Sequence, residues 1–182
     1  MKIEIVDLTH ENLIEAPEWG SYPFSCKYCL YWEYPKEHVD SEKERKQDIL
    51  FKKSRWLQLV REAFGNCGKI AYVNGKSVGY AEYAPPRFLP RSAEYRSGMP
   101  SEDAVLISCL FIPFKEFRRL GLGSLILRSM INDLKKRGIK AIETFARRGS
   151  SENPSGPYEF YIRNGFEVYK DDTEFPLVRL EL

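Results

Sequence analysis

Between Ala104 and Ser124 the chain reads AVLISCLFIPFKEFRRLGLGS, and few folds accommodate such a run. Ala104 to Ile112 is apolar and partly β-branched without helical spacing, which predicts a buried central strand. A charged turn, KEFRR, follows, and Gly121 and Gly123 then open an amphipathic segment. Glycines there let the backbone approach a ligand closely and leave the first N–H groups of a helix unpaired. Such a junction suits an anion: phosphate oxygens would gain those donors and the positive end of the helix dipole, with Arg118 and Arg119 adding charge. Two other phosphate motifs are excluded. The chain has no G-x-x-x-x-G-K-[ST], and Ile126 stands where a dinucleotide-binding G-x-G-x-x-G needs its third glycine.

The chain around this stretch is of ordinary globular character. Its 182 residues suit one domain spanning 1–182, and 43% hydrophobic with 30% charged residues can close a core. A net charge of +2, with basic and acidic residues interleaved, argues against a nucleic-acid partner. Glu4 and Asp7 interrupt the apolar N-terminus, so a secretory leader is not expected, and no apolar run approaches a membrane span. Four scattered cysteines do not make a secreted disulfide framework; the expected location is the cytoplasm.

Taken in order, Lys2 to Leu8 alternates as a strand, and Thr9 can cap a short helix that ends before Pro17. Trp19 to Pro35 is aromatic and proline-punctuated, with no clear period. Ser41 and Glu44 form a capping-box signature for a helix running to Phe64, on which Lys52, Lys53, Arg55 and Arg61 read as solvated positions. Asn74-Gly75 joins the strands 69–73 and 77–84 as a hairpin. After a loop over 87–101 and the central strand, a helix is expected from Gly123 to Arg137, stopped by Gly138. A strand over 139–145, a short helix opened by Pro157 and ended by Gly165, and strands over 166–170 and 175–182 complete the chain.

The pattern Arg118-x-x-Gly121-x-Gly123 resembles the acetyl-CoA pyrophosphate loop of the GNAT N-acetyltransferase superfamily. The element order agrees with that family, and Phe160-Tyr161-Ile162-Arg163-Asn164-Gly165-Phe166 looks like its F-Y-x-x-x-G-F ending. The resemblance implies an α/β fold with a mixed, mostly antiparallel sheet splayed between its fourth and fifth strands. It implies acetyl-CoA as co-substrate, with Leu110, Phe111 and Ile112 along the pantetheine and a main-chain N–H near Leu110 or Phe111 facing the thioester oxygen. The pyrophosphate would lie over the N–H groups from Arg119 through Leu120, Gly121, Leu122 and Gly123 to Ser124. The family's cofactor asparagine falls on Pro154, so Asn153 beside it is the candidate. Tyr161 holds the tyrosine place and would protonate the departing thiolate, with Tyr158 as the alternative one turn away.

No spacing selects a general base. Glu82, on the strand next to the central one, is the named candidate beside Glu33, Glu102 and Asp103, and a surface carboxylate is the competing reading of each. Cys26-Lys-Tyr-Cys29 lacks two further ligands for zinc and the strand–helix setting of a redox dithiol, so structural or substrate-site thiols are expected and no metal. The aromatic segment, Trp19, Tyr22, Phe24, Tyr28, Tyr31 and Trp32, would suit the lid of an acceptor pocket. The reading is an N-acyltransferase acting on a primary amine of a small molecule or peptide. Its rivals are a silent acyl-CoA-binding module and a C-x-x-C thiol or metal protein.

Overall fold

A computed structural model describes residues 1–20, 24–39 and 43–182. The strands are β1 (Ile3–Asp7), β2 (Gly68–Val73), β3 (Lys76–Ala84), β4 (Ala104–Phe111), β5 (Ala141–Phe145), β6 (Glu167–Lys170) and β7 (Leu177–Glu181). They form one sheet in the order β1-β2-β3-β4-β5-β7-β6, in which only β4 and β5 run parallel. The helices are α1 (Lys46–Ala63), α2 (Leu122–Lys136) and α3 (Tyr158–Arg163).

Local chemistry accounts for the elements. Asn74 and Gly75 both take positive φ, 49° and 81°, the geometry that a tight turn between twisted strands demands. Thr9 and Asn12 cap each other reciprocally, Thr9 N–H to Asn12 Oδ1 at 2.8 Å and Asn12 N–H to Thr9 Oγ1 at 3.2 Å, but the helix they start is a single 3-10 turn, Leu13–Glu15. The capping residue proposed for α1, Ser41, lies outside the described residues, as does Tyr22; Arg45 stands at the N-cap with no side-chain cap bond. Pro157 is the N-cap of α3 and not part of its first turn. The loop over 87–101 carries further 3-10 turns, Pro86–Phe88 and Pro90–Glu94.

Two apolar layers sandwich the sheet. One joins Trp56, Leu57 and Val60 of α1 and Trp32 of the aromatic segment to Tyr80, Leu106, Cys109 and Phe111. The other joins Ile126, Met130 and Leu134 of α2 and Tyr161 of α3 to Tyr83, Val105, Ile107 and Leu110. The parity of β4 changes between these sets because its pairing with β3 slips, Glu82 opposite Cys109 but Tyr83 opposite Ile107, leaving Ser108 as an extra residue. A bulge of this kind bends its strand. The parallel β4–β5 ladder ends nearby, at Ile107 opposite Thr144, and beyond that pair the two strands part.

Lys53, expected on the solvated face of α1, is 1% exposed, because it falls four residues after Ile49 and three before Trp56, inside the helix's apolar stripe.

Candidate active site

The strand, loop and helix that organise the sequence form one wall of a cleft of about 900 Å³. Leu110, Phe111 and Ile112 at the end of β4, Arg118 and Arg119, and Gly121, Leu122, Gly123 and Ser124 all line it. Arg119 and Gly121 sit in the left-handed region, φ 60° and 79°, on either side of Leu120, and this double turn swings the loop onto the N-terminus of α2. Gly121 is the N-cap and no side chain caps the helix, so the opening N–H groups face the cleft without a side-chain acceptor. Open space lies where a Cβ on Gly121 would project, and a Cβ on Gly123 would come within 3.1 Å of the Phe160 ring. These features fit a phosphate: clear approach, unpaired donors and the positive end of a 15-residue helix.

The opposite wall comes from residues that the motif did not single out: Ser151, Glu152, Pro157, Glu159, Phe160 and Arg163. Leu120, by contrast, is 47% exposed and does not line the cleft. Asn153, expected at the cofactor, also lies off it; its side-chain oxygen accepts from Ser155 N–H at 3.0 Å and Ser155 Oγ–H at 2.7 Å, closing a turn.

Arg118 ties the two walls together. Its Nε donates to the Ile112 carbonyl at 2.8 Å and its guanidinium to the Pro113 carbonyl at 3.2 Å, while two nitrogens pair with the Glu152 carboxylate, one at 3.0 Å. The arginine holds the Glu152 carboxyl below the usual range. The Leu110 N–H, expected to face a thioester oxygen, donates instead to the Pro154 carbonyl at 2.8 Å. The neighbouring backbone bonds to the end of β5: Arg147 N–H to Gly156 C=O and Tyr158 N–H to Arg147 C=O, each 2.9 Å. Residues 154–158 therefore fill the wedge between the parting strands.

The catalytic candidates lie behind these walls. Tyr161 is fully buried, and its hydroxyl donates to the Ser155 carbonyl at 2.7 Å, so it meets the filling segment and does not line the cleft. Burial pushes its phenol above the ordinary value, which keeps it protonated. Glu82 does not line the cleft either, which is at odds with a base acting there and with the surface reading alike. It is fully buried beside Lys53, whose Nζ lies 2.9 Å from Oε2. Tyr80 O–H donates to the same oxygen at 2.7 Å and Ser108 Oγ–H to Oε1 at 2.9 Å. Lys53 also pairs with buried Glu33 and donates to the Cys29 carbonyl at 2.9 Å, so one ammonium joins α1 and the aromatic segment to the sheet.

The three charges of this cluster are unequal. Burial raises Glu82, but the Lys53 charge and the hydrogen bonds with Glu33, Lys53 and the Tyr80 hydroxyl more than offset it, and the group stays ionised. Burial and then the Glu82 charge push Glu33 far up, and its Oε2 has no hydrogen-bond partner among the described residues, a position tolerable for a neutral acid. Burial opposes the Lys53 charge, yet the two carboxyls hold it protonated.

Cys26, Cys67 and Cys109 are buried, Cys29 is largely so, and all four are free thiols. No group of three or more potential metal ligands exists among the described residues. None of their helices is long and apolar enough to cross a membrane.

Comparison with known proteins agrees with this architecture. The profile of the family described as "Acetyltransferase (GNAT) family" matches residues 27–166. The PaiA N-acetyltransferase of Thermoplasma acidophilum, solved in complex with coenzyme A, superposes with a TM-score of 0.60 at 19% identity, over 100% of both chains. A GNAT family acetyltransferase from Brucella melitensis in complex with acetyl-CoA gives 0.51 at 12% identity, over 100% of this chain and 88% of the other. The ribosomal-protein-S18-alanine N-acetyltransferase of Escherichia coli gives 0.53 at 14%, over 100% and 93%. No curated protein matches the sequence.

Proposed function

The chain belongs to the GNAT acetyltransferase family, and from that premise we propose that it moves an acetyl group from acetyl-CoA to a primary amine of a small molecule or peptide. Acetyl-CoA supplies the acyl group as an activated thioester. The observation that carries the assignment is the uncapped N-terminus of α2 behind the Arg119–Gly121 double turn, a phosphate cradle in the wall of a cleft large enough for an extended ligand.

In this reading the N–H groups of Leu122, Gly123 and Ser124 hold the pyrophosphate, and the backbone from Leu110 to Ile112, at the end of β4, orients the arm. Positioning of this kind supplies most of the acceleration in a transfer between two bound partners. Tyr161 serves as the acid for the departing sulfur, acting once its O–H no longer donates to the Ser155 carbonyl; a phenol, with an ordinary pKa of about 10, is protonated at neutral pH. Glu82, sealed with Lys53, holds the aromatic segment against β3 and β4, and proton removal from the amine is left to solvent reaching the cleft. The aromatic segment covers the face of the sheet on which Phe111 meets Trp19, ring centroids 5.5 Å apart, and forms the acceptor wall. Four free thiols suit a reducing compartment.

Calorimetry with CoA tests the assignment. Gly123→Val places a branched side chain where phosphate must approach and against Phe160, so affinity should fall by on the order of tenfold or more in a protein that remains folded. Unchanged affinity would remove the main support. Turnover with a panel of amines separates an enzyme from a silent acyl-CoA-binding module.

A further inference from the structure

Two contacts across the cleft are made with groups that the proposed ligand would also want. Glu152 presents a carboxylate to Arg118, the one arginine that also anchors the phosphate loop to the end of β4 through the Ile112 and Pro113 carbonyls. Pro154 presents a carbonyl to the Leu110 N–H, on the part of β4 beyond its ladder with β5. A carboxylate resembles a phosphate in charge and in its fit to guanidinium, and a peptide carbonyl resembles the amide and thioester carbonyls of a pantetheine arm. Both mimics belong to one short stretch of chain, and a third member of it, the Ser155 carbonyl, accepts the Tyr161 hydrogen bond.

We propose that residues 152–157 are a latch whose Glu152 carboxylate and Pro154 and Ser155 carbonyls stand in for the cofactor's phosphate and carbonyl oxygens, and that acetyl-CoA displaces it. The proposal rests on the acetyl-CoA reading of the same cleft. Displacement exchanges like for like: the guanidinium trades a carboxylate for phosphate, and the Leu110 N–H trades one carbonyl for another, so neither of these two donors is left unpaired. The same movement withdraws the acceptor from Tyr161. Its hydroxyl is then free only when the arm lies in the wedge, which couples the acid to occupancy of the donor site.

The build of the segment suits a part that moves as a unit. Its ion pair is on the surface, Glu152 being half exposed, and ion pairs of that kind hold only weakly. Its internal turn is closed by its own Asn153–Ser155 bonds, which displacement need not break. At Gly156, φ 90°, a Cβ would fall 2.9 Å from the Tyr161 ring, so only glycine lets the segment lie this close to the tyrosine.

The test compares wild type, Glu152→Gln and Glu159→Gln, since Glu159 lines the same cleft and its replacement changes the charge equally without touching the latch. CoA is titrated calorimetrically, and exchange of the Leu110 amide hydrogen is followed by NMR in the ligand-free proteins. Glu152→Gln should bind CoA roughly twofold to fivefold tighter, the range expected when a surface ion pair no longer competes. Glu159→Gln should gain less than half as much, and the Leu110 amide should exchange faster in Glu152→Gln than in wild type. Equal gains from the two variants, no gain from Glu152→Gln, or unaltered Leu110 exchange would each overturn the latch. Absence of CoA binding to wild type would instead strike the acetyl-CoA reading, so the two failures are distinct.

Discussion

Replacing Glu33 by glutamine probes the buried charge cluster with nearly no change of shape. The structure assigns a negative charge to Glu82, a positive one to Lys53 and a proton to Glu33, whose raised pKa comes first from burial and then from Glu82. Folding must then take up a proton at any pH between the ordinary carboxylate range and the raised value of Glu33, because the unfolded chain ionises there and the folded one does not. A raised carboxylate pKa contributes stability at low pH and loses it as pH climbs through that window, at about 1.4 kcal/mol per pH unit for one proton. Glu33→Gln keeps a neutral side chain in both states and lacks this slope. It should match wild type within about 1 kcal/mol near pH 5 and gain on it by about 1.4 kcal/mol per pH unit up to the raised value of Glu33, beyond which the difference levels off. Glu82→Gln is the opposite case: it removes the ionised partner of Lys53 and leaves the ammonium with Glu33, a carboxyl that burial keeps hard to ionise, at a cost of up to about 3–5 kcal/mol. For a domain of this size that lowers Tm by roughly 6–20 °C. Urea unfolding of the three proteins at several pH values between 5 and 7 provides the slopes. Parallel pH profiles for wild type and Glu33→Gln, or an equal loss from both glutamine variants, would refute the assignment of the proton to Glu33.

Tyr161→Phe removes the hydroxyl bonded to Ser155 and keeps the ring packed; CoA should still bind, while kcat with an identified amine falls on the order of 10²-fold. Full kcat under conditions where chemistry limits the rate would end the acid assignment. The thiols should be inert in the native state: burial pushes Cys29 and Cys67 up to about 12, and a hydrogen bond with Cys26, then burial, holds Cys109 well above the ordinary value. A chromogenic disulfide at pH 8 should therefore label the folded protein slowly, and all four sites promptly in denaturant; fast native labelling would contradict this burial.

The parts legible in the sequence are those whose cause is local. Asn74-Gly75, the glycines at 121, 123 and 165 and the apolar run of β4 each act over a few residues, and the structure has its hairpin, its turn into α2, its helix end and its central strand where they point. The Lys53 cluster depends on partners 20 residues away, at Glu33, and across the sheet at Glu82, and charge alone made the lysine look solvated. Its place in the Ile49–Trp56 stripe was the available signal. Glu152 and Phe160 were missed as cleft residues because nothing local marks a loop that folds back into a wedge. Tyr161 was placed on the right helix, but the direction of its hydroxyl is set by the 154–157 backbone, which pattern cannot supply.

The strand order has a consequence for how the protein is made. Strands β1 to β4 each pair with the next in sequence, so this half of the sheet can assemble progressively as the chain leaves the ribosome. The other half cannot: β5 and β6 do not touch each other, and both are joined only through β7, which lies between them. Until Leu177–Glu181 has emerged, β6 has no strand partner and β5 has only its four-residue ladder with β4. The far wall of the cleft hangs from β5 and α3, so a nascent chain can carry a finished turn into α2 while it still lacks the surface against which a ligand would be held. Ligand binding should then appear late and abruptly in a series of chains stalled at increasing length.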